Sequence, residues 1–281
     1  MKKTMRIRSA ISPCPNDVFI FAGLICGGVS APGLEFEFAY HELETLNRDA
    51  NDGLWDLAKI SYANHVACAK DYRLLRCGGA LGRGCGPLLL SNRESADGGG
   101  TWNPREEVLV PGSRTTANFL LDFYVSSSAS AVPGRILSAM SGAGSAGGAA
   151  GAADATKAAS PQRIRPLEKT FMPFDALYRR LLGKDPCQGV VIHEMRFTYA
   201  ADGLHLIRDL GAFWEERTGF PIPLGAVALR NRLEVERPGL AAQVEIAIRA
   251  SLEWSYAHPE AALDLCRAQA QTLSDPVLKA H

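Results

Sequence analysis

One histidine of this chain, His193, stands where a proton carrier would be useful. It follows the apolar run Gly189-Val190-Val191-Ile192. Such a run reads as a strand covered on both faces, and in open α/β sheets ligands bind beyond the carboxyl ends of strands. An imidazole there titrates near neutrality and suits general acid–base work. A hydrogen-bonded structural histidine fits the same run equally well. A metal site does not fit, because His193-Glu194-Met195-Arg196-Phe197 lacks the second histidine of a His-Glu-x-x-His helix, and neighbouring strand residues point to opposite faces.

Hydroxyls and amides recur at three other strand-to-helix junctions. In Pro111-Gly112-Ser113-Arg114-Thr115-Thr116-Ala117-Asn118, hydroxyls gather at a helix start beside an arginine, an arrangement that suits a carboxylate or phosphate. In Lys59-Ile60-Ser61-Tyr62, a strand gives way to a helix with Ser61 as its cap. In Ser12-Pro13-Cys14-Pro15-Asn16-Asp17, two prolines stiffen the loop and Asn16 or Asp17 can cap the helix that follows. Cys14, at that helix start, would pair with His193 as a nucleophile only with an orienting third group, which the sequence does not supply. A fourth segment, Gly82-Arg83-Gly84-Cys85-Gly86-Pro87, is neither a phosphate loop nor a dinucleotide fingerprint. A tight turn between lobes and a close backbone approach to a ligand explain its glycines equally well.

The elements that must hold these junctions alternate along the chain. Strands are expected over residues 5–11, 34–38, 57–60, 73–77, 87–90, 108–110 and 190–193. Helices are expected over 18–25, 43–51, 61–70 and 116–124. This alternation predicts α/β architecture with mostly parallel sheets. Toward the end, Leu240, Val244, Ile248 and Leu252 recur every four residues and predict a helix with one apolar face, followed by another helix over 260–271. Of the 35 residues over 126–160, 26 are Ala, Gly or Ser. They read as a flexible insertion in a surface loop, with 135–140 as a possible helical turn. Residues 96–104 read as a hairpin tip.

Composition narrows the function classes. The 281 residues are 47% apolar and 21% charged, with 30 basic and 30 acidic side chains, as in an ordinary globular protein. No basic stripe with interleaved aromatics speaks for nucleic acid. The apolar run over 18–29 is too short to span a membrane, and the polar residues before it do not make a signal peptide, so a cytoplasmic location is expected. Seven scattered cysteines without a Cys-x-x-Cys pair read as free thiols rather than a disulfide framework.

Taken together, Ser-Pro-Cys-Pro-Asn-Asp at 12–17, Gly-x-x-Thr-Thr-Ala-Asn at 112–118 and Ile-His-Glu-x-Arg-Phe-Thr-Tyr at 192–199 resemble the 1,4-dihydroxy-6-naphthoate synthases of the futalosine route to menaquinone. The resemblance extends over most of the chain outside the Ala/Gly/Ser segment. It implies a two-lobed, periplasmic-binding-protein-like (type II) fold with a cleft between lobes. The first lobe would hold residues 1–92 and 223–281 and the second 93–222, with crossings near 90–92 and 223–230. It also implies a lyase that converts cyclic dehypoxanthine futalosine to dihydroxynaphthoate without metal or redox cofactor. His193 would be the general base, Ser61, Thr115 and Thr116 would bind substrate, and Asn16 and Asp17 would shape the cleft. A small-anion-binding protein of the same fold and chorismate dehydratase are the competing readings. The expected partner is a small-molecule substrate, not nucleic acid or membrane.

Overall fold

The computed structural model describes residues 4–129, 167–192 and 195–269. Two sheets organise it. The first has the order β2-β1-β3-β11-β4, with β5 also paired to β11. Its first half alternates strand and helix: β1 (Met5–Ile11), α1 (Pro15–Ile25), β2 (Leu34–Tyr40), α2 (Leu43–Asn51), β3 (Leu57–Ser61) and α3 (Tyr62–Cys68). Parallel pairing of β1 with β2 and with β3 requires such crossover helices. Every residue of β3 is buried, as expected of a central strand.

The sheet is completed by β4 (Tyr72–Leu74), β5 (Ala80–Gly82) and β11 (Ile222–Arg230), all antiparallel to their neighbours. After β11 come α8 (Asn231–Glu236), α9 (Leu240–Ala257) and α10 (Pro259–Gln269). Most of the expected apolar face of α9 is present: Leu240, Val244 and Ile248 enter one core with Ile7, Phe21 and Leu57, whereas Leu252 is only half-buried. Ser251 lies on the same helix, buried, and its hydroxyl accepts from the Leu24 amide at 3.1 Å. That close approach of α9 to α1 needs Gly23, where an added Cβ would lie 2.9 Å from the Ser251 backbone.

The second sheet has the order β10-β6-β9-β7-β8. It comprises β6 (Leu88–Ser91), β7 (Val108–Val110), β8 (Lys169–Phe171), β9 (Gln188–Val191) and β10 (His205–Asp209). α4 (Thr116–Ala129), α5 (Phe174–Leu181), α6 (Met195–Thr198) and α7 (Leu210–Thr218) belong to this half of the chain. Leu109, Leu177 and Val191 pack on one side of the sheet, and Val110, Leu120 and Val190 on the other. The short hairpin expected over 96–104 is marked by a bridge between Glu94 and Gly100. Ser126 to Ala129 continue α4, so the Ala/Gly/Ser-rich stretch begins as helix; the rest of that stretch, including 135–140, lies outside the described residues.

β6 is a strand of the second sheet, flanked by β9 and β10. The sheets therefore divide within 83–87, ahead of the 92/93 boundary read from the sequence. The glycine-rich segment 82–87 is the turn between lobes. It packs against the start of α7: an added Cβ on Gly86 would lie 2.4 Å from the Gly211 Cα. Arg196 tethers the same corner, donating to the Gly86 carbonyl and pairing with Asp209 at 3.1 Å.

Candidate active site

The junctions singled out in the sequence follow the C-terminal ends of β1, β3, β7 and β9. β1 and β3 run parallel in one sheet, and β7 and β9 run parallel in the other. In each lobe the two loops therefore leave the sheet along one edge, which is where ligands bind in α/β sheets.

In the first lobe the floor is an ion pair. Lys59 of β3 donates to Asp17, and their side chains are only 5% and 6% exposed. Ser12 donates to the other oxygen of Asp17 at 2.6 Å, and Lys59 also reaches the Gly78 carbonyl at 3.3 Å. A buried charge needs such a complement of partners. Asp17 therefore ties the 12–17 loop to the sheet. It does not cap α1, whose first residue is Pro15 and whose N-cap is Cys14. Asn16 is exposed at the start of the helix.

Ser61 occupies the N-cap position of α3 without making a side-chain cap. Asn47 of α2 holds it from both sides. Asn47 Nδ2 donates to Ser61 Oγ at 3.0 Å, and the Ser61 amide donates to Asn47 Oδ1 at 2.8 Å. Both residues are fully buried. With Oγ accepting from Asn47, the Ser61 hydroxyl hydrogen is left to donate elsewhere.

The second lobe contributes the 112–116 loop. Thr115 Oγ1 accepts from the Asn118 amide at 3.2 Å and donates to the Gly112 carbonyl at 2.9 Å, so it caps α4. Thr116 Oγ1 donates to the carbonyls of Pro223 and Leu224, at 2.9 and 3.0 Å, on a strand of the first sheet. The loop is also gripped from across the cleft. Asn47 Nδ2 donates to the Arg114 carbonyl at 3.0 Å, so a single amide group joins Ser61 of one lobe to Arg114 of the other. Glu44 accepts from the amides of Ser113 and Arg114, each at 3.1 Å.

The site thus joins Ser61, Thr115 and Thr116 through Asn47 and β11, with Asp17 beneath and Asn16 at the surface. His193 lies outside the described residues, as does its proposed pairing with Cys14; β9, which leads toward it, ends at Val191. Three residues that matter here carried weaker signals. Lys59 interrupts the apolar strand Leu57-Ala58-Lys59-Ile60, and Asn47 sits beside Leu46 and one turn from Leu43 and Ala50, on the buried face of an amphipathic helix. Glu44 looks like any helix-start carboxylate. Among the described residues no group of three or more His, Cys, Asp or Glu could hold a metal ion, and no helix is long and apolar enough to cross a membrane.

Two lobes of α/β structure, joined by adjacent crossings and meeting at strand ends, define the periplasmic-binding-protein-like fold. The solved alkanesulfonate-binding protein SsuA of Xanthomonas axonopodis pv. citri, bound to MOPS, has this likeness at TM-score 0.63 and 10% identity, over all of this chain and 84% of that one. A protein of Archaeoglobus fulgidus is more similar, with TM-score 0.75 and 26% identity over 98% of this chain and 86% of its own. The sequence profile described as Menaquinone biosynthesis matches residues 7–151 and 158–280. A 1,4-dihydroxy-6-naphthoate synthase of Thermus thermophilus is 38% identical over 98% of this chain and 84% of its own length. One from Streptomyces coelicolor is 36% identical over 98% and 83%. The chain belongs to the 1,4-dihydroxy-6-naphthoate synthase family of menaquinone biosynthesis.

Proposed function

We propose that this protein is a carbon–carbon lyase that splits cyclic dehypoxanthine futalosine into 1,4-dihydroxy-6-naphthoate and a sugar-derived fragment, with His193 as the general base. It acts in the cytoplasm on a free small molecule. The observation that carries the reading is the buried Asn47 amide shared between Ser61 and Arg114, which brings the binding loops of both lobes to one point. The relatives' names and the family's pathway supply the chemistry.

The substrate presents a carboxylate and ribose-derived hydroxyls. Ser61 donates its hydroxyl hydrogen to one of these oxygens. Thr115 and Thr116 meet the substrate at the start of α4, where the first amides of a helix have no partner within it. Their hydroxyls hold the loop in shape, through Gly112, Asn118 and β11. Asn16 and Asp17 shape the cleft, Asp17 from beneath through its tie to Lys59. His193 removes the proton that starts the cleavage, a transfer that histidine performs more often than any other side chain. Contact between the lobes excludes water from the intermediate.

The fold likeness to solute-binding proteins favours one alternative, a non-catalytic receptor for a small anion; chorismate dehydratase is a second. Incubation of the protein with cyclic dehypoxanthine futalosine and, separately, with chorismate separates the three by mass spectrometry. Dihydroxynaphthoate from the first supports the lyase. Loss of water from chorismate makes it a dehydratase. Calorimetric binding of either compound without product makes it a receptor.

A further inference from the structure

Glu44 lies in the first turn of α2, where a carboxylate ordinarily serves the amides of its own helix. Here it reaches the other lobe. One oxygen accepts from the amide and the hydroxyl of Ser113, at 3.1 and 3.0 Å, and the other accepts from the Arg114 amide at 3.1 Å. The approach depends on Gly112, where an added Cβ would lie 2.5 Å from a Glu44 carboxylate oxygen. One turn further along α2, Asn47 donates to the Arg114 carbonyl at 3.0 Å. α2 thereby holds three main-chain groups of the 113–114 segment, two of them through a charged acceptor, which makes for strong hydrogen bonds.

We propose that Glu44 is the latch that sets how readily the two lobes close, and that Gly112 is the position that admits it. The bonds join elements of different lobes, so they exist only while the lobes are together. An interaction made in one state alone shifts the equilibrium toward that state. The inference rests on the reading that substrate binds in the cleft. Glu44 is a positioning residue: it fixes the loop that carries Thr115 and Thr116 and does not touch the reacting atoms. A competing role is that of a stand-in for a substrate carboxylate, leaving when substrate arrives. The two roles predict opposite effects on affinity.

The test compares Glu44→Ala, Glu44→Gln, Gly112→Ala and the Glu44→Ala/Gly112→Ala double variant with the parent. Small-angle scattering of the free proteins reads lobe opening, and steady-state kinetics with cyclic dehypoxanthine futalosine reads its consequence. The latch predicts a larger radius of gyration for Glu44→Ala at unchanged melting temperature. It predicts KM raised about tenfold with kcat within about twofold, because a smaller closed fraction weakens apparent affinity while saturating substrate restores closure. Glu44→Gln, which keeps one acceptor oxygen, falls between. The added Cβ of Gly112→Ala also lies 2.9 Å from Thr115 Cγ2, so the part of its effect that disappears in the Glu44→Ala background is the part that acts through Glu44. A lower KM in Glu44→Ala would establish the stand-in and overturn the latch. An unchanged radius, or a fall in melting temperature with kcat and no change in KM, would overturn it too. If the parent converts nothing, the functional reading fails, while scattering still decides whether Glu44 holds the lobes.

Discussion

Asn47 and Ser61 hold each other by two hydrogen bonds, side-chain amide to hydroxyl at 3.0 Å and main-chain amide to side-chain oxygen at 2.8 Å. The pair is fully buried, so neither residue can turn to water if the other is lost. Asn47→Ala strands the Ser61 amide and releases Arg114 of the second lobe. Leaving a buried donor unsatisfied costs about 1–3 kcal/mol. Urea unfolding should report that loss, and the apparent affinity for substrate should fall with it. A variant as stable as the parent, binding equally well, would remove Asn47 from the site.

The Lys59–Asp17 pair lies beneath the same cleft, and its two ends should not be equivalent to the whole. Lys59→Met leaves the Asp17 carboxylate buried without its cation, at a cost of about 3–5 kcal/mol. Lys59→Met combined with Asp17→Leu removes both charges, and much of the lost stability should return. A double variant as damaged as the sum of the singles would contradict the pairing.

The turn between lobes packs backbone on backbone against the start of α7. A Cβ on Gly211 would lie 2.6 Å from the Gly86 Cα, 2.9 Å from its nitrogen and 2.6 Å from Ile222 Cδ1; the side chain can turn aside, but the backbone cannot. Alanine gains about 1 kcal/mol in helix propensity over glycine, yet overpacking costs up to about 3 kcal/mol. Gly211→Ala should therefore lose about 1–2 kcal/mol in net stability. Thermal unfolding reads this directly, and a stabilised variant would mean that the turn and α7 can part at no cost.

The thiols should differ sharply in reactivity. Burial pushes Cys77 and Cys266 up to about 11, with Glu245 adding to the effect at Cys77. At pH 8 their thiolate fraction is then roughly a hundredfold below that of a thiol at its ordinary pKa of 9.0. Cys26 is exposed. Alkylation followed by peptide mass mapping should find Cys26 modified well before Cys77 or Cys266. Equal rates would show that the native core opens on the labelling timescale.

Much of the scaffold was legible in the sequence because local periodicity reports burial. The bounds of β1, α2 and β7 were all readable from pattern alone. The region over 167–230 was harder. β8 and β10 are short and only partly buried, so their patterns are faint. β11 begins in one core, through Ile222, and ends in the other, through Val227 and Leu229. The sheet that takes β6 was equally hard to read, because the four buried residues of this strand are apolar enough for either sheet. At the site, Ser61 and Thr115 stood out because hydroxyls at helix starts are recognisable. What the hydroxyls bond to was not legible. Thr116 reaches β11 more than a hundred residues away, and Glu44 turns from its own helix to the opposite lobe. Such pairings arise from tertiary approach, which no local pattern encodes.

The central claim is that His193 starts cleavage of a substrate held between the lobes. The most direct measurement pairs calorimetric binding with single-turnover product formation, using cyclic dehypoxanthine futalosine and the parent or His193→Ala protein. A positioned general base contributes about 10²–10⁴-fold. The account predicts that His193→Ala binds the substrate nearly as tightly as the parent and forms dihydroxynaphthoate at least about a hundredfold more slowly. Product formation at the parent's rate by the variant would contradict it.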